Sequence, residues 1–408
     1  MCGRWRYNFS NFSVGQPWIL SEALDVRQLQ SSGTELHVEN LPLREHAAVD
    51  FDDALTRVIP ANLLVSLKLG RPAPPLTTKL APLKQLLLRA TRLHSLHYED
   101  RGQGTSFKFQ EDERMPAVKD LLLRSYDWDH SRREVARHWD FSNIRSLQLV
   151  HVPSYNFLSS INPNDLRKLH TLRVEDASAH LPDKRREATR ALTDLVSSYI
   201  DALETLDLVC HLPLFSLDAL LVHRHTLQIL RLRDHVGFGE EDHVCPTVDS
   251  LHLAGLAKEL RYLHTLELDL DVTQCDPREF LSAACRFGNL QTLTVHVQTL
   301  LRPLEAVEAG TDRDFEAAMQ SFQFLIQERE RLSKLQDRCY KPWKRITINV
   351  GGWRRVMVRR VSAAWRERNE RGIFAERCFV MERSAHGQVG VREEIGLESP
   401  SRRATPEL

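Results

Sequence analysis

Residues with metal-ligating side chains lie close together in "RDHVGFGEEDHVC", among them His235, Glu240, Glu241, Asp242, His243 and Cys245. Zinc takes nitrogen and sulfur donors that converge tetrahedrally, and a loop could bring His235, His243 and Cys245 to one ion. The stretch has no second Cys or His pair at ligand spacing. Adjacent acids in a loop are more often solvated than ligating. The expectation is an exposed strand-to-helix loop, Gly237 to Cys245, that holds no structural metal.

Other chemistries leave weaker traces. "GQG" at 102–104 lacks the following Gly, the strand and the helix of a phosphate loop. The chain contains no GxSxG, no HExxH and no paired-cysteine zinc pattern. No nucleophile, base and orienting group are visible together, so the expectation is a protein that is not an enzyme and uses no cofactor. The 18 histidines fall mostly at strand or helix-face positions, where surface or hydrogen-bonded roles outnumber catalytic ones.

What must position any site is a repeat. The pattern apolar-x-x-Leu-x-apolar occurs as "LVSLKL" at 64, "LHSLHY" at 93, "VKDLLL" at 118, "IRSLQL" at 144 and "LHTLRV" at 169. It continues as "LETLDL" at 203, "LQILRL" at 227, "LHTLEL" at 263 and "LQTLTV" at 290. "TELHVENL" near 34 and "WKRITINV" at 343 read as degenerate outer copies. Most steps are 24–29 residues, with longer ones of 34 and 36. In a strand the fourth and sixth letters share a face and the letter between them points the other way. One copy cannot bury its own apolar face, so copies must stack into a parallel sheet. This resembles the leucine-rich repeat. The resemblance implies an α/β solenoid, or horseshoe, with an inner parallel β-sheet, outer helices and a polar concave face.

Between the strands the sequence reads as return helices. "SRREVARHW" carries a capping box from Ser131 to Glu134. "NPNDLRKL" has Asn162 as cap and Pro163 at the first position, and "DPREFLSAACRF" repeats this with Asp276, Pro277 and Glu279. "REATRALTDLVSSYIDAL" puts Leu192, Leu195, Val196, Tyr199 and Leu203 on one helical stripe. "VDSLHLAGLAKEL" reads as a helix rather than a tenth strand. The ninth position, Asn or Cys in the family pattern, is instead Tyr126, Val152, Ala177, His211, His235, Asp271 and Gln298. An irregular array without an asparagine ladder follows.

The expected concave face includes Arg173, Glu175, Asp207, Arg231, Arg233, Glu267, Asp269 and His296. Arg231 and Arg233 lie beside Glu267 and Asp269, and all are expected to be solvated. Such faces are how solenoids usually bind proteins.

Lys plus Arg and Asp plus Glu are balanced at 55 each, so overall charge favours neither nucleic acid nor membrane. The seven cysteines are odd in number and scattered, which suits reduced thiols and a cytoplasmic or nuclear setting. The N-terminal residues lack the apolar core of a signal peptide. No apolar run approaches a membrane span. The expected organisation is an N-terminal cap and degenerate repeat over 1–60, the repeat array over 61–305, and an amphipathic helical insertion over 306–340. A last strand, basic helix and cap follow over 341–395, with a disordered tail over 396–408. In the insertion, Thr311 is the expected cap and Phe315, Met319, Phe322, Leu325, Ile326, Leu332 and Leu335 the stripe. The basic stretch 341–372 reads as a cap, with Trp353 and Trp365 packing on the array, before it reads as a nucleic-acid surface. "CFVMERSAHGQVGVREEI" reads as a closing hairpin.

"LLLRSYDWDHSRREVARHWDFSNIRSLQLVHVPSYNFLSSI" and "LRLRDHVGFGEEDHVCPT" resemble the repeat region of fungal F-box/leucine-rich-repeat-like proteins over roughly residues 90–380. The resemblance implies substrate recognition for a cullin-type ubiquitin ligase. An F-box would bind the ligase adaptor, but "ENLPLREHAAVDFDDALTRVI" in residues 1–60 is a poor match to one. The expected function is therefore a non-catalytic protein-protein interaction module. It would serve as a ligase substrate receptor if an F-box lies upstream, and otherwise as a general scaffold. A nucleic-acid-associated factor using 341–372 is the less favoured alternative.

Overall fold

The computed structural model describes residues 4–8, 34–41, 59–70, 80–100, 105–176, 181–235, 245–298, 312–336, 340–351, 377–384 and 386–394. The chain forms two compact units, Met1–Leu203 and Glu204–Leu408. Their boundary falls inside the array expected over 61–305. Each unit is α/β, with a mostly parallel sheet and helices.

In the first unit β1 (Arg4–Asn8), β2 (Glu35–Leu41), β3 (Leu64–Leu69), β4 (Ser95–Glu99), β5 (Asp120–Arg124), β6 (Ser146–Val152) and β7 (Thr171–Asp176) pair in chain order, all parallel. The fourth-letter leucines form one row in register: Leu67, Leu96, Leu121, Leu147 and Leu172. All are buried. Small irregularities sit at the ends of β2 and β6. There Asn40 and His151 take positive φ, at 56° and 55°, and so let the strand kink.

The helices of this unit are α1 (Leu80–Arg89), α2 (Arg132–His138), α3 (Ser154–Ser160) and α4 (Pro182–Asp194). α1 buries Leu83, Leu86 and Leu87, one stripe at helical spacing. The capping box before α2 is present: Glu134 N–H donates to Ser131 Oγ at 3.3 Å, and Ser131 N–H to Glu134 Oε2 at 2.8 Å. A cluster of Tyr98, Phe107, Tyr126, Trp128, Trp139, Phe141 and Phe157 fills the core beside α2 and α3.

In the second unit β8 (Thr205–Cys210), β9 (Ile229–Asp234), β10 (Thr265–Leu270), β11 (Thr292–Val297) and β12 (Arg345–Val350) are parallel. β13 (Arg377–Arg383) and β14 (Val389–Glu394) then add an antiparallel hairpin, as "CFVMERSAHGQVGVREEI" suggested. The leucine row is Leu206, Leu230, Leu266, Leu293 and Ile346. α5 (Ser250–Glu259) packs on α6 (Pro277–Cys285), and α6 on α7 (Arg313–Gln336). Asp249 and Asp276 cap α5 and α6, and "VDSLHLAGLAKEL" is helical as expected.

Several expectations are corrected. Asn162 does cap, accepting from Asn164 N–H, but it opens a 3-10 turn (Pro163–Leu166) rather than an α-helix. α4 does not run straight through to Leu203. It passes into a π-helical turn (Leu195–Tyr199), in which Ile200 N–H donates to the Leu195 carbonyl. This keeps Leu195 and Val196 buried while Tyr199 is half-buried. α7 is amphipathic, but Phe315 and Leu335 are exposed. Its buried stripe is Ala318, Phe322, Leu325 and Leu332, joined by Glu328 and Arg329. Asp312 Oδ1 accepts from Phe315 N–H at the start of α7, and Thr311 lies outside the described residues. The parts of the basic stretch holding Trp353 and Trp365, the tail, and residues 236–244 also lie outside them.

The missing asparagines have substitutes. Asp176 accepts from Ser154 N–H at 3.0 Å, and Asp234 from Leu212 N–H at 2.7 Å. Asp271 accepts from Cys245 N–H at 2.9 Å, and Tyr126 Oη from Phe107 N–H at 2.7 Å. Each side chain reaches a backbone donor that follows the preceding strand. Asp176 and Asp234 do so from the eighth position, one letter before the place where Asn was sought.

Two stability tests follow. Leu172→Ala should cost about 2–5 kcal/mol and Leu172→Asp should unfold the first unit. Asp234→Ala leaves the buried Leu212 N–H unpaired and should cost about 1–3 kcal/mol. Asp234→Asn, which keeps an acceptor, should lose less. Thermal unfolding of the three variants with hydrogen exchange at Leu212 checks both, and an unchanged Leu212 exchange rate in Asp234→Ala would contradict the ladder.

Candidate protein-binding face

The side chains opposite the leucines form straight rows because the strands are in register. In the first unit one row is Lys68, His97, Leu122, Gln148 and Arg173. All five are half-buried. Beside it runs Glu99, Arg124, Val150 and Glu175. Charges pair across strands: Lys68 with Glu39 at 3.4 Å, Arg124 with Glu99 at 3.5 Å, and His151 with Glu175 at 3.5 Å. Arg173 and Glu175 approach to 3.8 Å within β7. Burial and then the Lys68 charge push His97 down to about 4, so it is neutral at physiological pH.

The same face of the second unit is closed. Glu267 is 5%, Asp269 2%, His296 8% and Arg233 8% exposed. Arg233 Nε donates to Asp269 Oδ1 at 2.8 Å, and Asp269 Oδ2 accepts from Asp234 N–H at 2.9 Å. Arg231 spans Asp207 at 3.5 Å and Glu267 at 3.3 Å. His296 Nε2 lies 2.8 Å from Glu267 Oε1, and Asn349 Nδ2 lies 3.4 Å from His296 Nδ1. A neutral His296 that donates from Nε2 and accepts at Nδ1 satisfies both contacts.

Burial alone would raise the Glu267 carboxyl. The His296 hydrogen bond, with the charges of Arg233 and Arg231, holds it down at about 2. Burial, then Arg233, lowers His296, against the pull of Glu267. Burial would lower Arg233, but Asp269 and Glu267 hold it above its ordinary value. The group is a satisfied buried network, which resists being broken one partner at a time.

These residues alternate with the buried leucines along their strands, and several are less exposed than expected. Arg173, Asp207 and Arg231 are half-buried, while Glu175, Arg233, Glu267, Asp269 and His296 are buried. Glu267 and Arg233 are not solvated, because neighbouring strands supply their counter-charges. Alternation in sequence fixes a side chain's face but not what lies over that face. On α4, Arg185 is also buried, whereas Arg186 and Arg190 are exposed. His235 and Cys245, from the candidate metal loop, are both buried, and burial drives the Cys245 thiol strongly upward. Among the described residues no group of three or more His, Cys, Asp or Glu is arranged to hold a metal, and no helix is long and apolar enough to cross a membrane.

No protein-family model, no curated protein and no solved structure matches this chain.

The network gives the second unit an acid-sensitive fold. Unfolded His296 takes up a proton as pH falls below about 6.5 and the folded residue resists it, so stability present above that pH is lost on acidification. Glu267 adds a second loss between about 4.5 and about 2, because its folded carboxyl stays ionised below the unfolded value. Urea midpoints measured across pH should show both declines, and Glu267→Gln should flatten the lower one; parallel curves for wild type and variant would contradict the assignment. Arg233→Glu would set another carboxylate against Asp269 and Glu267 and should abolish folding of this unit, whereas Arg173→Glu, at a half-buried position, should cost far less and leave the first unit folded.

Proposed function

We propose that this chain is a leucine-rich-repeat solenoid acting as a non-catalytic protein-binding module. The observation that carries the reading is the row Lys68, His97, Leu122, Gln148 and Arg173. These side chains lie in register on five consecutive strands, half-buried, opposite an unbroken buried leucine row. A face of this kind offers many weak, oriented polar contacts, which favour specificity and association rate over raw affinity. The likeness to F-box/leucine-rich-repeat-like proteins supports a partner that is a protein, and a ligase substrate in the narrower version. A general scaffold fits the same face. The nucleic-acid alternative draws no support from Arg345, whose guanidinium is engaged by Glu394 at 3.0 Å and Glu382 at 3.5 Å.

We place the binding row in the first unit, where its members are half-buried, whereas Arg233, Glu267, Asp269 and His296 of the second are buried. The chain used as bait, followed by cross-linking and mass spectrometry, should map partner contacts to β3–β7. Combined His97→Glu and Arg173→Glu changes should remove the captured partner without unfolding the chain. Arg186→Glu with Arg190→Glu, on the exposed side of α4, should leave it bound. Loss only in the α4 variant would move the site to the helices and refute the face.

A further inference from the structure

The second letter of each repeat forms a row of its own at the strand entries. In four consecutive copies it is His94, Lys119, Arg145 and His170. Backbone bonds lock the four side by side. Lys119 N–H donates to the His94 carbonyl at 2.7 Å, Arg145 N–H to Lys119 at 2.7 Å, and His170 N–H to Arg145 at 2.8 Å. Neighbouring members are therefore one strand spacing apart, about 4.8 Å. All four are exposed, as are Arg92 and Lys168 on the same turns. Among the described residues neither Lys119 nor Arg145 forms an ion pair. Arg145 uses one N–H on the Lys168 carbonyl, at 3.2 Å. Two carboxylates on nearby turns are engaged elsewhere, Asp140 by Arg114 and Ser142 and Asp201 by Arg167. Beside the row, the half-buried Asp120 feels the charges of Lys119 and His94, whereas on the adjacent face Lys68, Arg124 and Arg173 are each ion-paired.

We infer that this edge of the first unit docks an acidic peptide segment of a partner protein. Charge complementarity supplies the argument: Lys119 and Arg145 are exposed cations on neighbouring strands with no ion pair among the described residues, and exposed Arg92 and Lys168 lie on the turns beside them. Two features favour a peptide over single-stranded nucleic acid. The row just inside the edge is Ser95, Asp120, Ser146 and Thr171. Its hydroxyls and one carboxylate can accept hydrogen bonds from peptide N–H groups, donors that a sugar–phosphate backbone lacks. Moreover, the first three letters of these four repeats include no Phe, Tyr or Trp. Sequence-tolerant binding of single strands relies on stacking against such rings. The inference rests on the protein-binding reading and adds the chemistry of the partner.

A labelled poly-glutamate peptide, titrated by fluorescence anisotropy at about 50 mM salt, should bind the full chain and be released near about 500 mM. Lys119→Glu with Arg145→Glu should weaken binding by about tenfold or more, while Lys119→Gln with Arg145→Gln should weaken it by less. Arg186→Glu with Arg190→Glu, which removes equal charge from α4, should leave it unchanged. Circular dichroism confirms that each variant is folded. Failure of the wild type to bind the peptide, or equal loss in the α4 variant, overturns the inference. Tighter binding of an oligothymidine that is lost in the same edge variant also overturns it, by making the edge a nucleic-acid surface. The partner captured through His97 and Arg173 separates the two readings. If that capture persists while the peptide fails to bind, only the edge assignment falls.

Discussion

Everything in this molecule depends on register. A single copy of the repeat has one apolar stripe and nothing of its own to bury it. Stacking buries Leu67, Leu96, Leu121, Leu147 and Leu172 against one another and against the helices behind them. A slip of one residue between any two strands would turn a leucine outward and bring a polar side chain into the core. Once the leucines are aligned, every other letter of the repeat is aligned too. The polar face and the basic edge are consequences of that alignment.

Register is held at two levels. Leucine packing sets the face, but hydrophobic contact is not directional. The turns after the strands add direction, through Tyr126, Asp176, Asp234 and Asp271, each accepting a backbone N–H that follows the previous strand. Carboxylates do this well, since a charged acceptor makes a stronger bond than a neutral one. The interval between strands can then vary without disturbing the sheet. α4 with its π-helical turn occupies the longest part of one interval, and α5 fills another.

The two units use the same polar positions differently. In the first, Lys68, Glu99, Arg124 and Arg173 are paired and half-buried, while Glu175 is buried. In the second, Arg233, Glu267, Asp269 and His296 are buried and mutually satisfied. Much of this was legible in the sequence. The nine copies of the pattern and both outer ones are strands, and the caps at Ser131 and Asp276 were readable from local grammar. Burial of the Glu267 network was not, because it depends on partners supplied by neighbouring strands, which the letters of one strand do not show. The aspartate ties were missed because the pattern was read at the ninth letter, while Asp176 and Asp234 act from the eighth. Phe315 and Leu335 were misplaced because the buried stripe of α7 is set by β12, β13 and α6, not by counting apolar residues along the helix.

Register can be measured directly. With the native cysteines replaced, cysteines at Gln148 and Arg173 occupy partner positions on β6 and β7. Their Cα atoms should lie about 5 Å apart, within the range that a disulfide spans. Mild oxidation should cross-link this pair quickly in the folded chain. The displaced pair at Gln148 and Val174, whose side chains point to opposite faces, should not react. Preferential cross-linking of the displaced pair would mean that β6 and β7 are one residue out of register, and the rows on which the binding face and the basic edge depend would not exist.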